Sequence, residues 1–422
     1  MSRWRWILTQ LNRRLWVHAT LIGFLGVATA ILAAFVERFI PWQLPTHIGA
    51  DAVESILTII ASSMLAVTTF SLSVMTSAYG AATSNVTPRA TRLLLEDRIT
   101  QSVLSNFIGS FLFSIVGIVV LKTGAYGERG RVVLFVVTIV VIALVIISLL
   151  RWIDHLTRLG RVGETTQRVE DTTRQAIDLR LAQPFLGGRP LPSEPAGATP
   201  IPANTIGYVQ YIDMNVLSDC CQHQDADLFV AAIPGTFVYP DTPLAWLDER
   251  TSPTTADALR EAVDKAFSVG NERNFDQDPR FGLAVMCEIG SRALSPATND
   301  PGTAIDVIGR LTRLLSLWAR NQHQNVDVMY PRIHVPPLKT EDLFEDAFML
   351  LARDGAGLIE VQLRLQKSLH ALSRMGDADF RAAALRQARL AHERANDALP
   401  SAADRTRLGE SAFFHTNEQD IL

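Results

Sequence analysis

Four long apolar runs in the first part of the chain constrain its fold more than any other feature. They cover about residues 17–36, 55–78, 103–121 and 132–150. Between Val17 and Leu150 the Asp, Glu, Lys and Arg residues are confined to the three gaps that separate these runs. A helix needs about 20 apolar residues to cross a hydrocarbon core of roughly 30 Å. The runs therefore predict four transmembrane helices, with the lipid bilayer as the first partner of this chain.

The basic residues that flank the runs predict the orientation of the chain. One group lies before the first run, between the second and third, and after the fourth: Arg3, Arg5, Arg13, Arg14, Arg89, Arg92, Arg98, Arg151, Arg158 and Arg161. The opposite gaps carry Arg38, Lys122, Arg129 and Arg131. Because Lys and Arg accumulate in cytoplasmic loops, both termini are predicted to be cytoplasmic and the membrane to be the bacterial inner membrane. The first run is longer than the apolar part of a cleaved signal peptide, which favours a retained helix.

The sequence after the fourth run predicts a separate cytoplasmic region. The predicted divisions are a transmembrane domain at 1–151, a helical extension at 152–183, a Pro/Gly-rich linker at 184–204, an α+β domain at 205–400 and a flexible tail at 401–422. The segments "GYVQYID" and "DLFVAAIPGTFVYPDTPLAWL" combine aromatic and β-branched residues with Pro and Gly turns, a pattern typical of short strands. The fold class is therefore a polytopic α-helical membrane domain followed by a cytoplasmic α+β domain, with a small β-module and a helical remainder.

The stretch "RALSPATNDPGTA", from Arg292 to Ala304, lies between two apolar helical patterns. An Asn or Asp followed by proline is a helix-start signal, so Asn299 or Asp300 is predicted to cap a helix that runs to about Arg320. The alternative is a polar ligand site or subunit contact. That site would use Ser295, Asn299, Asp300 and Thr303.

Five separated segments resemble one bacterial family of predicted membrane proteins, catalogued as domain of unknown function 2254. They are "SNVTPRATRLLLEDRITQSVLSNFIGSFLF", "GYVQYID", "PGTFVYPDTPLAW", "FDQDPRFGL" and "ALSPATNDPGTA". The resemblance covers most of the chain, in the order of the family. It implies an integral membrane protein and supplies no reaction, cofactor or catalytic residue. Where the family tends to have "QFSPR", this chain has Asn85-Val86-Thr87-Pro88-Arg89, so a role of the first three residues is in doubt.

The second run carries a polar stripe along one side of its predicted helix. Successive residues of an α-helix are 100° apart, which places seven small or hydroxyl residues within an arc of about 60°: Ser55, Thr58, Ser62, Thr69, Ser73, Thr76 and Gly80. Asp51 and Glu54 lie at the outer mouth of this stripe. Helix packing explains such a stripe, because small residues and hydroxyls permit close approach between helices. A permeation pathway also explains it, because hydroxyls can replace part of the hydration shell of an ion.

The remaining features argue against several other functions. The net charge of −4 is unsuited to non-specific nucleic-acid binding. The segment "CCQHQDAD" lacks the second pair of ligands expected of a zinc site, so its cysteines are interpreted as structural and no metal or other cofactor is predicted. Motifs of common hydrolases, zinc proteases and P-loop enzymes are absent from the sequence. The chain is therefore predicted not to be an enzyme.

Two functional hypotheses follow from these observations. The first is an oligomeric ion channel, or a channel-like pathway for an inorganic cation, lined by the second span and coupled to the cytoplasmic domain. A single four-helix protomer could hardly enclose a pore, so this hypothesis requires a homo-oligomer. The alternative is a membrane-anchored sensor or scaffold that binds a cytoplasmic ligand or partner without transport. A membrane-embedded enzyme is the least favoured third possibility.

Overall fold

The computed structural model describes residues 20–21, 23–24, 27–28, 50–95, 98–123, 128–156, 161–320 and 327–412. The chain divides into two compact units. Unit 1 comprises Met1–Trp6, Asn85–Ala90 and Thr165–Leu422, and unit 2 comprises Ile7–Ser84 and Thr91–Glu164. The short segment Asn85–Ala90 therefore belongs to unit 1, although the chain on both sides of it belongs to unit 2.

Three long apolar helices form the described part of unit 2. In chain order the helices are α1 (Ala50–Asn85), α2 (Pro88–Leu95), α3 (Arg98–Lys122) and α4 (Glu128–Leu156). By length and composition, the segments that can cross a membrane are Asp51–Gly80, Ile99–Lys122 and Gly130–Leu156. The predicted first span at 17–36 lies outside the described residues, apart from a few helical positions. The other three helices are longer than the predicted 55–78, 103–121 and 132–150, because a helix can continue into polar residues beyond the bilayer core.

Unit 2 is held together by apolar packing and by buried polar contacts. One apolar cluster consists of Val53, Leu57, Phe113 and Leu134, and a second consists of Ile60, Met64, Val103, Leu104, Phe107 and Trp152. Gly117 lets Leu57 of α1 approach α3, since an added Cβ would lie 3.2 Å from its side chain. Between α3 and α4, Asn106 Nδ2 donates to Ser148 Oγ at 2.9 Å. The packed face of α1 is thus the one that carries Val53, Leu57, Ile60 and Met64.

The main segment of unit 1, Thr165–Leu422, starts within a helix and continues into small sheets. Helix α5 spans Val162–Ala182, and the strands of the described residues are β1 (Arg189–Pro190), β2 (Thr199–Pro202), β3 (Gly207–Ile212), β4 (Leu228–Val230), β5 (Phe237–Val238), β6 (Pro243–Leu247), β7 (Phe267–Gly270) and β8 (Ile333–Val335). One sheet has the order β1-β8-β4-β6-β2, and the other has the order β5-β3-β7. Pairs β1–β8 and β4–β8 are parallel, whereas the other pairs are antiparallel.

The predicted linker at 184–204 contains strands, and the strands of the predicted small β-module belong to two sheets. The 184–204 segment contains β1 and β2, which form the two edges of the five-stranded sheet. Its apolar residues Leu191, Ile201 and Ala203 are buried, which ties the segment to the fold in spite of its proline content. The strands of "DLFVAAIPGTFVYPDTPLAWL" separate into different sheets, because β4 and β6 pair with each other whereas β5 pairs with β3.

Helices make up the rest of unit 1. They are α6 (Met214–His223), α7 (Pro253–Ala266), α8 (Pro279–Ala293), α9 (Pro301–Arg320), α10 (Thr340–Asp354), α11 (Ile359–Leu372), α12 (Ala378–Ala398) and α13 (Ala402–Glu410). Helix α13 lies in the predicted flexible tail at 401–422, so that prediction is wrong for residues 402–410. The fully buried Leu408 packs against Ala395 and Leu399, and this contact holds the short helix in place.

Candidate functional site

The corner between α8 and α9 is the stretch that the sequence singled out, and it is an ordered turn. Asp300 caps α9, because its Oδ1 accepts from the backbone N–H of Thr303 at 3.0 Å. Hydrogen bonds from the side chain and backbone of Thr303 hold the pKa of Asp300 below its ordinary value. Asn299 has a φ of 47° and donates its backbone N–H to Ser295 O at 2.8 Å. The four predicted residues of this corner therefore lie close together.

The segment Asn85–Ala90 lies against the same corner. Val86 and Ala90 are fully buried, and Thr87 is nearly so. The guanidinium of Arg89 forms an ion pair with Glu288 of α8. The two segments line one cleft of about 620 Å³, whose walls are Thr87, Pro88, Glu288, Ser291, Arg292, Leu294, Ser295, Pro296 and Asp354. Residues that are about 200 positions apart in sequence thus meet at one site, which no local sequence pattern indicates.

The polar character of this cleft comes from side chains with defined partners. Asp354 accepts a hydrogen bond from Ser291 Oγ and forms an ion pair with Arg353. Leu294 and the two prolines supply the apolar part of the wall. A volume of several hundred Å³ with a few polar groups on an apolar wall is typical of a small-molecule site. The cleft can therefore admit a small polar ligand, and Glu288 is the acid that directly links it to Asn85–Ala90.

A buried charged cluster connects α5, the loop before α8 and the turn after β4. Arg273 binds both carboxylate oxygens of Asp278, with Nε–Oδ2 and Nη2–Oδ1 distances of 2.8 and 3.0 Å. Asp278 also caps α8 by accepting from the backbone N–H of Phe281. Gly235 has a φ of 95° and lies so close to Asp278 that a Cβ would overlap the carboxylate. Sequence analysis missed this cluster, although Gly235 and Asp278 both lie in segments that carry the family resemblance.

Arg180 of α5 lies beside this cluster and has an unusual environment. Only 3% of its surface is exposed. None of its three guanidinium nitrogens has a hydrogen-bond partner among the described residues. Burial lowers the pKa of Arg180 from the ordinary value of an arginine to about 10, and the charge of Asp278 only partly offsets this effect. An ionised group without partners is costly in a protein interior. The buried charge of Arg180 therefore lowers the stability of the folded state.

A second buried acid attaches α5 to α9. Glu170 of α5 is almost fully buried, and its carboxylate accepts from Arg310 Nη1 at 2.6 Å. Arg313 binds the same carboxylate through Nε and Nη2, at 2.9 and 3.0 Å. Such paired, charge-assisted hydrogen bonds are stronger and more directional than neutral ones. Helices α8 and α9 with the corner between them form a hairpin. This α8–α9 hairpin contacts α5 through Glu170, and it contacts Asn85–Ala90 through Glu288.

The polar stripe of the second span lies on α1, on the side opposite its packed face. All seven positions are exposed: Ser55, Thr58, Ser62, Thr69, Ser73, Thr76 and Gly80. Hydroxyls along the stripe donate to the backbone of their own helix, for example Ser62 Oγ to Thr58 O and Thr69 Oγ1 to Ala66 O, both at 2.9 Å. The stripe therefore does not mediate the contacts of α1 with α3 and α4.

The two acids at the predicted outer mouth differ in their surroundings. Asp51 is exposed in the first turn of α1. Glu54 forms an ion pair with Lys122 at the end of α3, with an Nζ–Oε1 distance of 2.7 Å. Because an adjacent cation cancels much of the field of a carboxylate, Asp51 is the stronger source of negative potential at this end of α1.

The cysteines have the burial of structural residues. Cys221 and Cys287 are buried and Cys220 is half-buried, and all three are free thiols. Burial raises the pKa of both Cys221 and Cys287 to about 12, so these thiols are poorly reactive at neutral pH. Within the described residues, no group of three or more His, Cys, Asp or Glu side chains is placed to hold a metal ion.

Three helices long and apolar enough to cross a bilayer, followed by a mixed unit of helices and small sheets, define the class as a membrane protein. The chain belongs to the DUF2254 family, whose model is described as "Predicted membrane protein" and matches residues 12–371. It is similar to uncharacterized proteins of Mycobacterium bovis and Mycobacterium tuberculosis, with 27% identity over 335 residues. The match covers 76% of this chain and 63% of each relative, so it spans less than two thirds of their length. No solved structure matches the chain.

Proposed function

We propose that this protein forms homo-oligomers in the bacterial inner membrane, in which α1 of each copy lines a path for small inorganic cations. The observation that carries the proposal is the exposure of the whole polar stripe on the side of α1 that is not packed against α3 and α4. Polar groups that face lipid are unfavourable, so this side of α1 calls for water or protein beside it. Symmetric association of copies around an axis supplies both, because it brings equivalent stripes together.

The charges at the ends of α1 favour cations over anions. Asp51 lies exposed in line with the stripe, and a mouth lined by one sign of charge concentrates ions of the opposite sign. The arrangement of arginines supports a topology with Asp51 outside the cell and with both termini and unit 1 in the cytoplasm. The proposal assigns no catalytic role to any residue.

Thiol accessibility on α1 tests the path directly. Thr69 and the adjacent Phe70 are both exposed on the protomer and lie at the same depth, but only Thr69 belongs to the stripe. In membranes, Thr69→Cys should react with small water-soluble thiol reagents at least tenfold faster than Phe70→Cys. The half-buried Val67→Cys is the control for the packed side. Equal rates at Thr69→Cys and Phe70→Cys would show that the stripe does not line a water-filled path.

The orientation is tested with the same chemistry. Cysteines introduced at Thr46 and Gly127 should react with a membrane-impermeant reagent added outside spheroplasts. A cysteine at Thr83, which is exposed in the last turns of α1, should react only after the membrane is opened. The reverse pattern would invert the proposed topology.

The second candidate function is a membrane-anchored sensor that transports nothing. The cleft of about 620 Å³ beside Asn85–Ala90 favours it, since a ligand bound there would contact a segment joined directly to α1. Single-channel recording of the purified protein in planar bilayers separates the two functions. Cation-selective events support the channel, whereas silent bilayers with a correctly inserted protein favour the sensor.

A further inference from the structure

The segment that follows α1 makes its contacts inside unit 1. Helix α1 ends at Asn85, and the chain then enters unit 1 for the six residues Asn85–Ala90. Within this segment, Thr87 Oγ1 accepts from the backbone N–H of Ala90 at 3.3 Å, which caps α2. Val86 and Ala90 are fully buried. The position of this segment therefore depends on the elements of unit 1 that surround it.

Arg89 makes the ionic contact between this segment and α8. Its partner is Glu288, and the side chains of Arg89 and Glu288 are 60% and 21% exposed. The pair is thus accessible to solvent on the side of Arg89 and can open without unfolding the surrounding core. An ion pair of this exposure contributes modestly to stability, which suits a contact that opens and closes.

Helix α5, which follows the last span in sequence, is held by the same hairpin. Glu170 is bound by Arg310 and Arg313 of α9. Gly282 of α8 allows close contact with the buried Thr173 of α5, because any Cβ at this position would overlap that side chain. Among the described residues, two segments that join unit 1 to apolar helices therefore contact this hairpin: Asn85–Ala90 contacts α8, and α5 contacts both α8 and α9.

The corner of the hairpin is built to keep α8 and α9 in a fixed relation. Asp300 caps α9 and its own backbone N–H donates to Ala293 O, the last residue of α8, at 2.8 Å. The N–H of Asn299 donates to Ser295 O at the same distance. A displacement of α8 is therefore transmitted to α9 rather than absorbed by the turn.

We propose that the α8–α9 hairpin is a clamp that controls the end of α1, with the Arg89–Glu288 ion pair as its release point. When the pair is closed, Asn85–Ala90 is held against α8 and the last turns of α1 are ordered. When it opens, the segment and those turns loosen together. If α1 lines a cation path, the clamp regulates that path. This regulation rests on the proposed function, whereas the clamp itself does not.

The test measures the segment and α1 without any transport assay. Val86→Cys is the reporter, because Val86 is fully buried when the segment is in place. Arg89→Glu and Glu288→Arg each place like charges opposite one another, and the double variant restores an attractive pair in reverse. Each single variant should raise the rate of Val86→Cys modification about fivefold or more, which corresponds to the upper range for an exposed pair. In the double variant, the rate of Val86→Cys modification should be within about twofold of the rate in the protein that carries only the Val86→Cys change.

Controls in the same chain keep the result specific. Arg260→Glu disrupts the exposed Arg260–Asp257 pair on α7 and should leave the reporter unchanged. Cys287 is fully buried on α8, so its lack of reaction shows that unit 1 remains folded. If a charge reversal exposes Cys287, the milder Arg89→Gln takes its place and should still raise the Val86→Cys rate.

Amide hydrogen exchange over residues 80–90 completes the experiment. Faster exchange in both single variants, restored in the double variant, supports control of α1. Unchanged Val86→Cys rates in the single variants, or no restoration in the double variant, would overturn the clamp. A loosened segment with unchanged exchange in the last turns of α1 would overturn the control of that helix. Equal labelling of Thr69→Cys and Phe70→Cys would refute the proposed path. The labelling of Val86→Cys and the hydrogen exchange would still test the clamp.

Discussion

Arg180→Met should stabilise unit 1, which is unusual for the replacement of a buried residue. Arg180 is 3% exposed, and in the described part of the chain its guanidinium has no hydrogen-bond partner. Methionine is of similar length, is flexible enough to fill the space and carries no charge. The change therefore removes the electrostatic cost while leaving most of the packing.

The magnitude follows from the pKa of the buried guanidinium. Burial lowers the pKa of Arg180 from the ordinary value of an arginine to about 10. At about 1.4 kcal/mol per pKa unit, the charged form costs roughly 3 kcal/mol in the folded state. Arg180 lies in the last turn of α5, where the helix dipole stabilises the positive charge by about 0.3–1 kcal/mol. After a further allowance for imperfect packing, Arg180→Met should raise the free energy of unfolding by about 1–2 kcal/mol.

The sign of the pH dependence is also determined. Because the folded pKa is depressed, the unfolded chain binds the proton more tightly, and the cost is fully present below about pH 10. It is relieved only as the pH rises from there towards the ordinary pKa of an arginine. The gain from Arg180→Met should therefore be the same at about pH 7 and pH 9.

The assay uses the full chain purified in detergent and follows the thiol of Cys287 during urea unfolding. Cys287 is fully buried in unit 1, so its labelling reports the unfolding of that unit. Arg174→Met changes an exposed arginine of the same helix and should alter the midpoint little. A loss of more than about 1 kcal/mol in Arg180→Met would refute the reasoning. That result would mean that an anion or another group satisfies the guanidinium in the working protein.

Three further predictions concern the other charged groups. Asp300→Ala removes the cap of α9 and should lower the free energy of unfolding by about 0.5–2 kcal/mol in the same urea assay. Since the pKa of Asp300 is depressed, its contribution in the parent protein should be present above about pH 4 and lost as the pH falls further. Glu170→Gln leaves Arg310 and Arg313 facing an uncharged group and should cost about 3–5 kcal/mol, also measured by urea unfolding. If the protein conducts cations, Asp51→Asn should lower conductance more than Glu54→Gln, most strongly at low salt, because Lys122 already neutralises Glu54; an equal effect in single-channel recordings would contradict this.

Local sequence signals predicted the features whose causes are local. The Asp-Pro pair identified the start of α9, since a capping side chain and a proline act within one turn of the helix. The aromatic and β-branched residues of "GYVQYID" predicted β3 in the same way. The exposed stripe on α1 was predicted as a pattern, because helical periodicity alone places its residues on one side.

Contacts between distant segments could not be predicted from these signals. Arg89 and Glu288 are 199 positions apart, and Glu170 and Arg310 are 140 positions apart. Arginines are common on helices, and the sequence around Arg310 does not show whether its side chain binds a buried acid or faces solvent. Arg180 was equally hidden, because its environment is created by the packing of α5 on the rest of unit 1.

The errors at 184–204 and 401–422 have a related origin. Proline content indicated a linker, but two short strands form there because the neighbouring strands of the sheet supply their hydrogen bonds. Polar composition indicated a flexible tail, but a single leucine, Leu408, fits a buried position against α12. In both segments one or two buried contacts outweigh the local propensity.

The prolines of β2 have a consequence for association between copies of the protein. Ala203 donates its N–H inward to Thr242 O, and amide directions alternate along a strand, so the nitrogens of Pro200 and Pro202 face the outer edge of the sheet. Proline has no N–H, which leaves that edge without donors at two successive outward positions. A strand from a neighbouring molecule would find few hydrogen bonds to form there. Copies of the protein can therefore be concentrated with little tendency to aggregate through this edge.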